Sequence, residues 1–456
     1  MLAGFAVCAC DSACAEFQPF ASTGVTYSDN ISRIEDGEES GAQAGAVAGF
    51  RFFEVKPRWN ANVEAAGTYL RYFSDDTLED NSDQLGWLTA QGSFSIMPRY
   101  LSWEVLDNYG QVATDPFGSL RPSDRQNINY ATTGPNFAFP VGATNRFDVQ
   151  LRYSDVRYSE TKIQNSHRNS VNAGLVHEWT PIRTISLNYY GEQVKFKNDT
   201  IFRDYDLQSA FLSLNSTPRR MRIGIDLGIT QIDDGTASES STLAALAISR
   251  QIGRVSSIQV YGRRAFADSA DAFRFGQGGG EDSVLIDQDV QVLGQPYRET
   301  YYSFGYIASL RRSVVAVGPY WVDEKYVRNE ALNRRRSGTR ADVSYVVSPS
   351  VRMGGYVSYE KNKFAGILQD NTDMVFGFAL ANRITDSLEV GIRLERYDRN
   401  SDVNPFVENR AILSASWAPR RRVAEMAPAE VMFNRTRGTN SQPTDRGRAI
   451  PTEEEP

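Results

Sequence analysis

The chain is poor in the residues that carry most enzyme chemistry. It has three cysteines and two histidines among 456 residues. The cysteines, Cys8, Cys10 and Cys14, all crowd the N-terminus. The stretch from Met1 to Cys8 is small and apolar, and it runs into Ser12-Ala13-Cys14-Ala15, an A-x-A-like cleavage site ahead of Glu16. Residues 1–15 are therefore expected to be a secretory signal peptide. A charged n-region is missing, so the start of the leader is expected further upstream. Removal of the leader leaves no cysteine, which excludes a disulfide framework and a thiolate metal site. No apolar run reaches the roughly 18 residues of a membrane-spanning helix. That absence leaves strands open, because a spanning strand gives a much weaker signal. A basic excess is missing too. Lys and Arg number 49 against 56 Asp and Glu, a net charge of -7, so nucleic acid is disfavoured as a partner.

Catalytic and cofactor motifs are also scarce. His167 and His177 have no Ser or Cys at a recognisable spacing, and no G-x-S-x-G occurs. Both histidines read as lumen or surface residues. The Gly-rich stretch from Gly276 to Asp282 lacks the Lys-Ser/Thr of a P-loop. The acidic run Glu35-Asp36-Gly37-Glu38-Glu39 lacks the ligand spacing of an EF-hand. No catalytic, cofactor-binding or metal-binding residue is assigned, no cofactor is expected, and the chain does not read as an enzyme.

What is abundant is alternation. In Arg58 to Ala65, Phe147 to Tyr153, Arg222 to Ile229 and Leu388 to Glu395, every second residue is apolar and most of the others are polar. Period two is the period of a strand with two unlike faces. Because it recurs over nearly the whole chain, the sequence predicts an all-β fold, a transmembrane antiparallel β-barrel of about 18–20 strands. The apolar face then meets lipid and the polar face lines an aqueous interior. The first strand is expected near Pro19–Asp29 and the last over Arg410–Trp417. Tight connections are expected at Lys56-Pro57, Met97 to Arg99, Pro140 to Asn145, Thr180 to Arg183, Thr217 to Arg220, Gly253-Arg254, Ser348 to Ser350 and Thr385-Asp386. Longer ones are expected over 30–40, 74–83, 107–126, 159–166, 265–299 and 362–373. Short periplasmic turns and long extracellular loops are the asymmetry of an outer-membrane barrel, which places the chain in the outer membrane of a Gram-negative bacterium. Tyr100, Trp103, Trp179 and Trp417 suit interfacial girdles.

The inward positions are the one constellation with functional content. Alternation assigns to the pore lining Arg58, Asn60, Asn62, Glu64, Glu104, Asp148, Gln150, Arg152, Asn188, Glu192, Arg222, Asp226, Gln259, Tyr261, Arg263, Arg340, Asp342, Arg352, Tyr356, Glu360, Glu389, Arg393 and Glu395. Both signs are present, so the wall offers hydrogen bonds rather than a filter of one charge. Most of these charges are expected to neutralise one another across adjacent strands. The barrel is assigned to 16–419. Residues 420–456, rich in Pro, Thr, Asn, Arg and Glu, read as a disordered periplasmic tail.

Three segments carry a resemblance. Phe20 to Asn30 looks like an opening strand with an Asp-Asn loop start. Gly134-Pro135-Asn136-Phe137 with Phe147 to Tyr158 looks like a central strand pair, and Glu408-Asn409-Arg410 precedes the final strand. In these the chain, over roughly Phe17 to Pro419, resembles the outer-membrane β-barrel proteins associated with exopolysaccharide synthesis and export, a β-barrel porin family. The resemblance implies a channel for secretion of an exopolysaccharide, with the polysaccharide as cargo and a periplasmic polysaccharide export protein as partner. Outer-membrane lipid and lipopolysaccharide would surround the barrel. Three other readings stay open: a general or substrate-selective porin for small solutes, a barrel hydrolase, and a structural barrel with a blocked lumen. The segment from Ala265 to Glu299 is open between a plug and a lid.

Overall fold

A two-faced strand satisfies its backbone only by pairing on both sides, and a sheet loses its edges only by closing. The computed structural model of the chain shows that closure. It describes residues 15–36, 38–73, 82–114, 125–198, 202–268, 270, 273, 295–366, 370–402 and 404–419. Among these, twenty antiparallel strands follow in chain order: β1 (Glu16–Ser28), β2 (Gly41–Val55), β3 (Trp59–Phe73), β4 (Ser82–Met97), β5 (Leu101–Ala113), β6 (Arg125–Val141), β7 (Asn145–Tyr158), β8 (Ser166–Thr180), β9 (Arg183–Phe196) and β10 (Tyr205–Ser216); then β11 (Met221–Asp233), β12 (Ser238–Ile252), β13 (Ser256–Ala267), β14 (Tyr297–Ser309), β15 (Ser313–Tyr326), β16 (Arg334–Val346), β17 (Val351–Phe364), β18 (Asn371–Arg383), β19 (Leu388–Ser401) and β20 (Phe406–Trp417). Each strand pairs with its chain neighbours, and β1 pairs with β20 from Ala21↔Trp417 to Ser28↔Arg410. The fold is the closed transmembrane antiparallel barrel that alternation predicts, with twenty strands.

The two ends of the barrel differ. At one, hereafter the turn end, strands are joined by short connections such as 56–58, 98–100, 142–144, 181–182 and 253–255. At the other, the loop end, connections such as 29–40 and 268–296 are long. The strands climb further into the loop end than the alternation suggested. Asp107 to Ala113 belong to β5, Ala265 to Ala267 end β13, and Tyr297 to Glu299 begin β14. The loop end also has connections that sequence reading passed over, at 197–204, 234–237 and 327–333. Residues 1–14 of the expected leader, the Gly-rich 276–282 and the expected tail 420–456 lie outside the described residues.

The outer face is apolar and open. Leu187, Leu227 and Ile229 are 61%, 60% and 69% exposed. That face can be covered by lipid at little cost, whereas in water it would be one continuous apolar surface. Towards the loop end the phase of the alternation flips. In β9 the apolar set Ile185, Leu187, Tyr189 sits on odd positions and then Val194 and Phe196 on even ones. The same flip takes β7 from Leu151 and Tyr153 to Val156 and Tyr158, β11 from Leu227 and Ile229 to Ile232, and β19 from Ile392 and Leu394 to Tyr397. Since side chains alternate strictly along a strand, a flip in phase moves apolar residues from the outer face to the inner one. The apolar outer band ends where the flip occurs.

Glycines let long side chains lie across the inner wall. Tyr320 of β15 faces Gly338 of β16, which faces Glu360 of β17, and the Tyr320 hydroxyl reaches the Glu360 carboxylate over the glycine. Tyr356, Gly377 and Glu395 repeat the arrangement on β17, β18 and β19. On β5 to β7, Arg152 reaches Glu104 past Gly134, at 2.6 Å. A Cβ at position 338 would stand 2.7 Å from the Tyr320 hydroxyl and 2.7 Å from the Tyr359 carbonyl. Gly338→Ala is expected to cost about 1–3 kcal/mol, the usual cost of overpacking. The urea midpoint of detergent-folded protein reads this. A midpoint equal to wild type would contradict the packing described.

Candidate channel interior

The inner face is open near the turn end and packed near the loop end. Asn60, Asn62 and Arg222 are exposed, while Gln126, Ser166 and Arg168 are buried. The strand positions that alternation assigns inward share this face, and Arg58 is an exposed residue of the bend just ahead of β3.

Most charged wall positions have a partner on the same face. Glu64 holds Arg51 at 2.6 Å, and Asp148 takes Arg146 at 2.8 Å. Arg263 meets Glu299 at 3.4 Å, and Arg340 holds Asp342 at 3.0 Å while its guanidinium lies over Tyr356. Arg352 pairs with Glu389. Glu395 is shared by Arg410 at 2.9 Å and Arg393 at 3.8 Å. Glu192 accepts from the Tyr190 hydroxyl, Asn188 donates to Ser213, and Tyr261 packs on Tyr301. Asp226 is half-buried and Gln150 lies on the same face. Some of these pairs cross between strands, as Arg51–Glu64 and Arg352–Glu389 do, and others, as Arg146–Asp148 and Arg340–Asp342, lie two residues apart on one strand; cross-strand pairs of opposite charge stabilise a sheet.

The histidines stay away from the wall. His167 of β8 faces Asp155 and Tyr153 on the outer face, at 3.0 Å from each, and His177 bonds Asn145 near the turn end. Among the described residues no group of three or more His, Cys, Asp or Glu could hold a metal ion.

The largest departure from the sequence reading is at the loop end. The inner wall of β5, β6 and β7 becomes an apolar nest of Val112, Ile128, Tyr130, Val156 and Tyr158. A second nest, of Val194, Phe196, Tyr205, Leu207 and Ile232, covers β9 to β11. Both are filled by the chain around and beyond the end of β13. The pairing of β13 with β12 stops at Ala244↔Arg264, while its pairing with β14 continues to Ala267↔Tyr297. β13 thus peels away from β12 and leans over the inner wall. Phe266 fills the second nest, and Ala270 and Phe273 fill the first, with Phe273 wholly buried. Complete burial of a Phe stabilises by about 1.5–3 kcal/mol. The described start of the 265–299 segment therefore crosses the interior instead of rising above it. Sequence reading missed Arg168, Asp268, Phe266 and Phe273. The phase flip was the available signal, because it leaves an apolar inner wall that something must cover.

Loops also meet above the peeled strands. Arg328, after β15, donates to Asp234 and, at 2.8 Å, to Thr236 between β11 and β12; Arg203 donates to the same threonine at 3.0 Å. The hydrogen bond from Arg328, then those from Thr236 and Ala237, hold the Asp234 carboxyl well below its ordinary value of 3.8.

No family model matches this chain, and no curated protein matches it. Solved structures do. The FrpB iron transporter of Neisseria meningitidis is 8% identical, with a TM-score of 0.45, over 88% of this chain and 81% of that one. A BenF-like porin from Pseudomonas fluorescens is 10% identical, with a TM-score of 0.38, over 88% and 99%. OccK2 of Pseudomonas aeruginosa is 10% identical, with a TM-score of 0.39, over 89% and 99%.

The Asp234–Arg328 contact makes a prediction with a definite sign. A carboxyl held below its unfolded value adds stability that is present above that value and is lost as pH falls through the folded one. Acidification to 3.8 should leave the two loops joined, and they should part only below it. Spin-label distances between positions 237 and 330 measure this. Separation of the labels well above 3.8 would contradict it.

Proposed function

We propose that this chain is a Gram-negative outer-membrane channel for polar solutes, with its turn end in the periplasm and its loop end outside. The observation that carries the reading is the opposition of the two faces. Lipid suits the open apolar face, and water suits an inner wall of paired charges, amides and tyrosine hydroxyls. Twenty strands enclose more space than wall side chains fill, so the interior near the turn end holds water. Charges of both signs along that wall favour neither cations nor anions. Outer-membrane lipid and lipopolysaccharide surround the apolar band, above which Lys195, Arg335 and Lys363 point outward.

The cargo has two readings. Passage of small solutes is favoured by the β13 crossing, since a segment folded across the interior narrows it. Export of an exopolysaccharide, handed over by a periplasmic polysaccharide export protein, rests on the resemblance of the strand motifs. A wall of carboxylates, amides and tyrosines supports it by offering a hydroxyl-rich polymer hydrogen bonds along its length.

Purified protein in planar lipid bilayers should carry a steady current with weak preference between potassium and chloride. Absence of current, or strong selection of one ion, would contradict the channel reading. An in-frame deletion strain separates the cargoes. Loss of extracellular polysaccharide with polymer retained in the envelope supports export. Unchanged polymer leaves the small-solute reading standing.

A further inference from the structure

We propose that Arg168, Asp268 and Tyr205 form a clasp that sets the bore of the channel by fixing the end of β13 and the described residues just past it, Asp268, Ala270 and Phe273, across its interior. The proposal rests on the channel reading and adds the element that sizes the passage.

Asp268 directly follows β13, whereas Arg168 belongs to β8 and Tyr205 to β10. The carboxylate of Asp268 accepts from the Arg168 guanidinium at 2.5 and 3.3 Å and from the Tyr205 hydroxyl at 2.7 Å. Both side chains of the ion pair are 2% exposed. The guanidinium also lies over the ring of Tyr130, 5.6 Å from its centre. One charge on the crossing segment is thus held directly by two strands of the wall, β8 and β10, and Tyr130 of β6 backs the arginine that holds it.

The position of the clasp gives it this role. It sits between the two apolar nests, one filled by Phe266 before it and the other by Ala270 and Phe273 after it. Apolar contacts alone are non-directional and let a segment slide over a greasy wall. A buried ion pair fixes register, because any shift leaves a charge unpaired where water is scarce. The nests supply adhesion and the clasp supplies position. Arg168, Asp268 and Tyr205 are positioning residues: solute passes the segment they hold.

The test is single-channel recording on wild type, Asp268→Asn, Tyr205→Phe, and the exchange Arg168→Asp/Asp268→Arg. Asp268→Asn should shift the main conductance to a larger value and add brief sublevels, and Tyr205→Phe should do so to a smaller extent. The exchange restores a pair of opposite charge and should return conductance towards wild type, which a general loss of folding would not do. Hydrogen exchange over 265–273 should be slow in wild type and faster in Asp268→Asn. A wild type that carries no current defeats the channel reading itself. A wild type that conducts, beside Asp268→Asn and Tyr205→Phe that conduct identically to it, overturns the clasp alone. Should Asp268→Asn fail to fold, the milder Tyr205→Phe decides in the same way.

Discussion

Everything in this structure depends on the seam between the first strand and the last. Without the pairing of β1 and β20 the sheet would carry two free edges, and a free edge cannot persist in lipid, where no water meets its backbone groups. The seam is pinned at its loop end. Asp29 accepts from the backbone and side-chain amides of Asn409, at 2.7 Å each. Glu408 takes Ser28 at 2.7 Å and Arg33 at 3.0 Å, and Asn30 donates to the carbonyl of Val407. Arg33 lies in turn over the rings of Tyr397 and Phe406. Two short polar motifs, far apart in the chain, meet here and join its ends.

Closure divides the molecule into an inside and an outside, and alternation assigns residues to each. Within the apolar band the assignment is simple: Leu227 and Ile229 outward, Asp226 inward. At the loop end it is reversed, with Lys195 outward and Val194 and Phe196 inward. The reversal follows from a change of solvent. Once the outer face leaves lipid it no longer needs apolar residues, and the inner face is free to pack against protein. The crossing segment uses that freedom. The inner face is therefore open towards the turns and packed by protein towards the loops.

Much of this was legible in the residues. The strand count, the closing strands and the tight turns follow from period-two patterning and from Pro and Gly placement, signals that are local. Alternation does not say where a strand begins, and Pro57-Arg58 forms the bend ahead of β3. The course of the segment from Ala265 to Glu299 could not be read, since it depends on contacts of Asp268 and Phe273 with strands far away in sequence, Tyr205 lying 63 and Arg168 100 residues from Asp268. Sequence alternation treats each strand alone, and the nests exist only when several strands stand side by side. Even so, the shift from Leu151 and Tyr153 to Val156 and Tyr158 is visible in the sequence as a change of phase. It marks both the edge of the band and the bed of the crossing segment.

The central claim is that one face of each strand meets lipid and the other meets water. It is tested most directly by replacing Cys8, Cys10 and Cys14 with serine, placing single cysteines at positions 222 to 227 and 229 of β11, and treating the protein in lipid vesicles with a water-soluble maleimide. The account predicts labelling at 222, 224 and 226 and protection at 223, 225, 227 and 229. Uniform labelling, or labelling in the opposite phase, would contradict it.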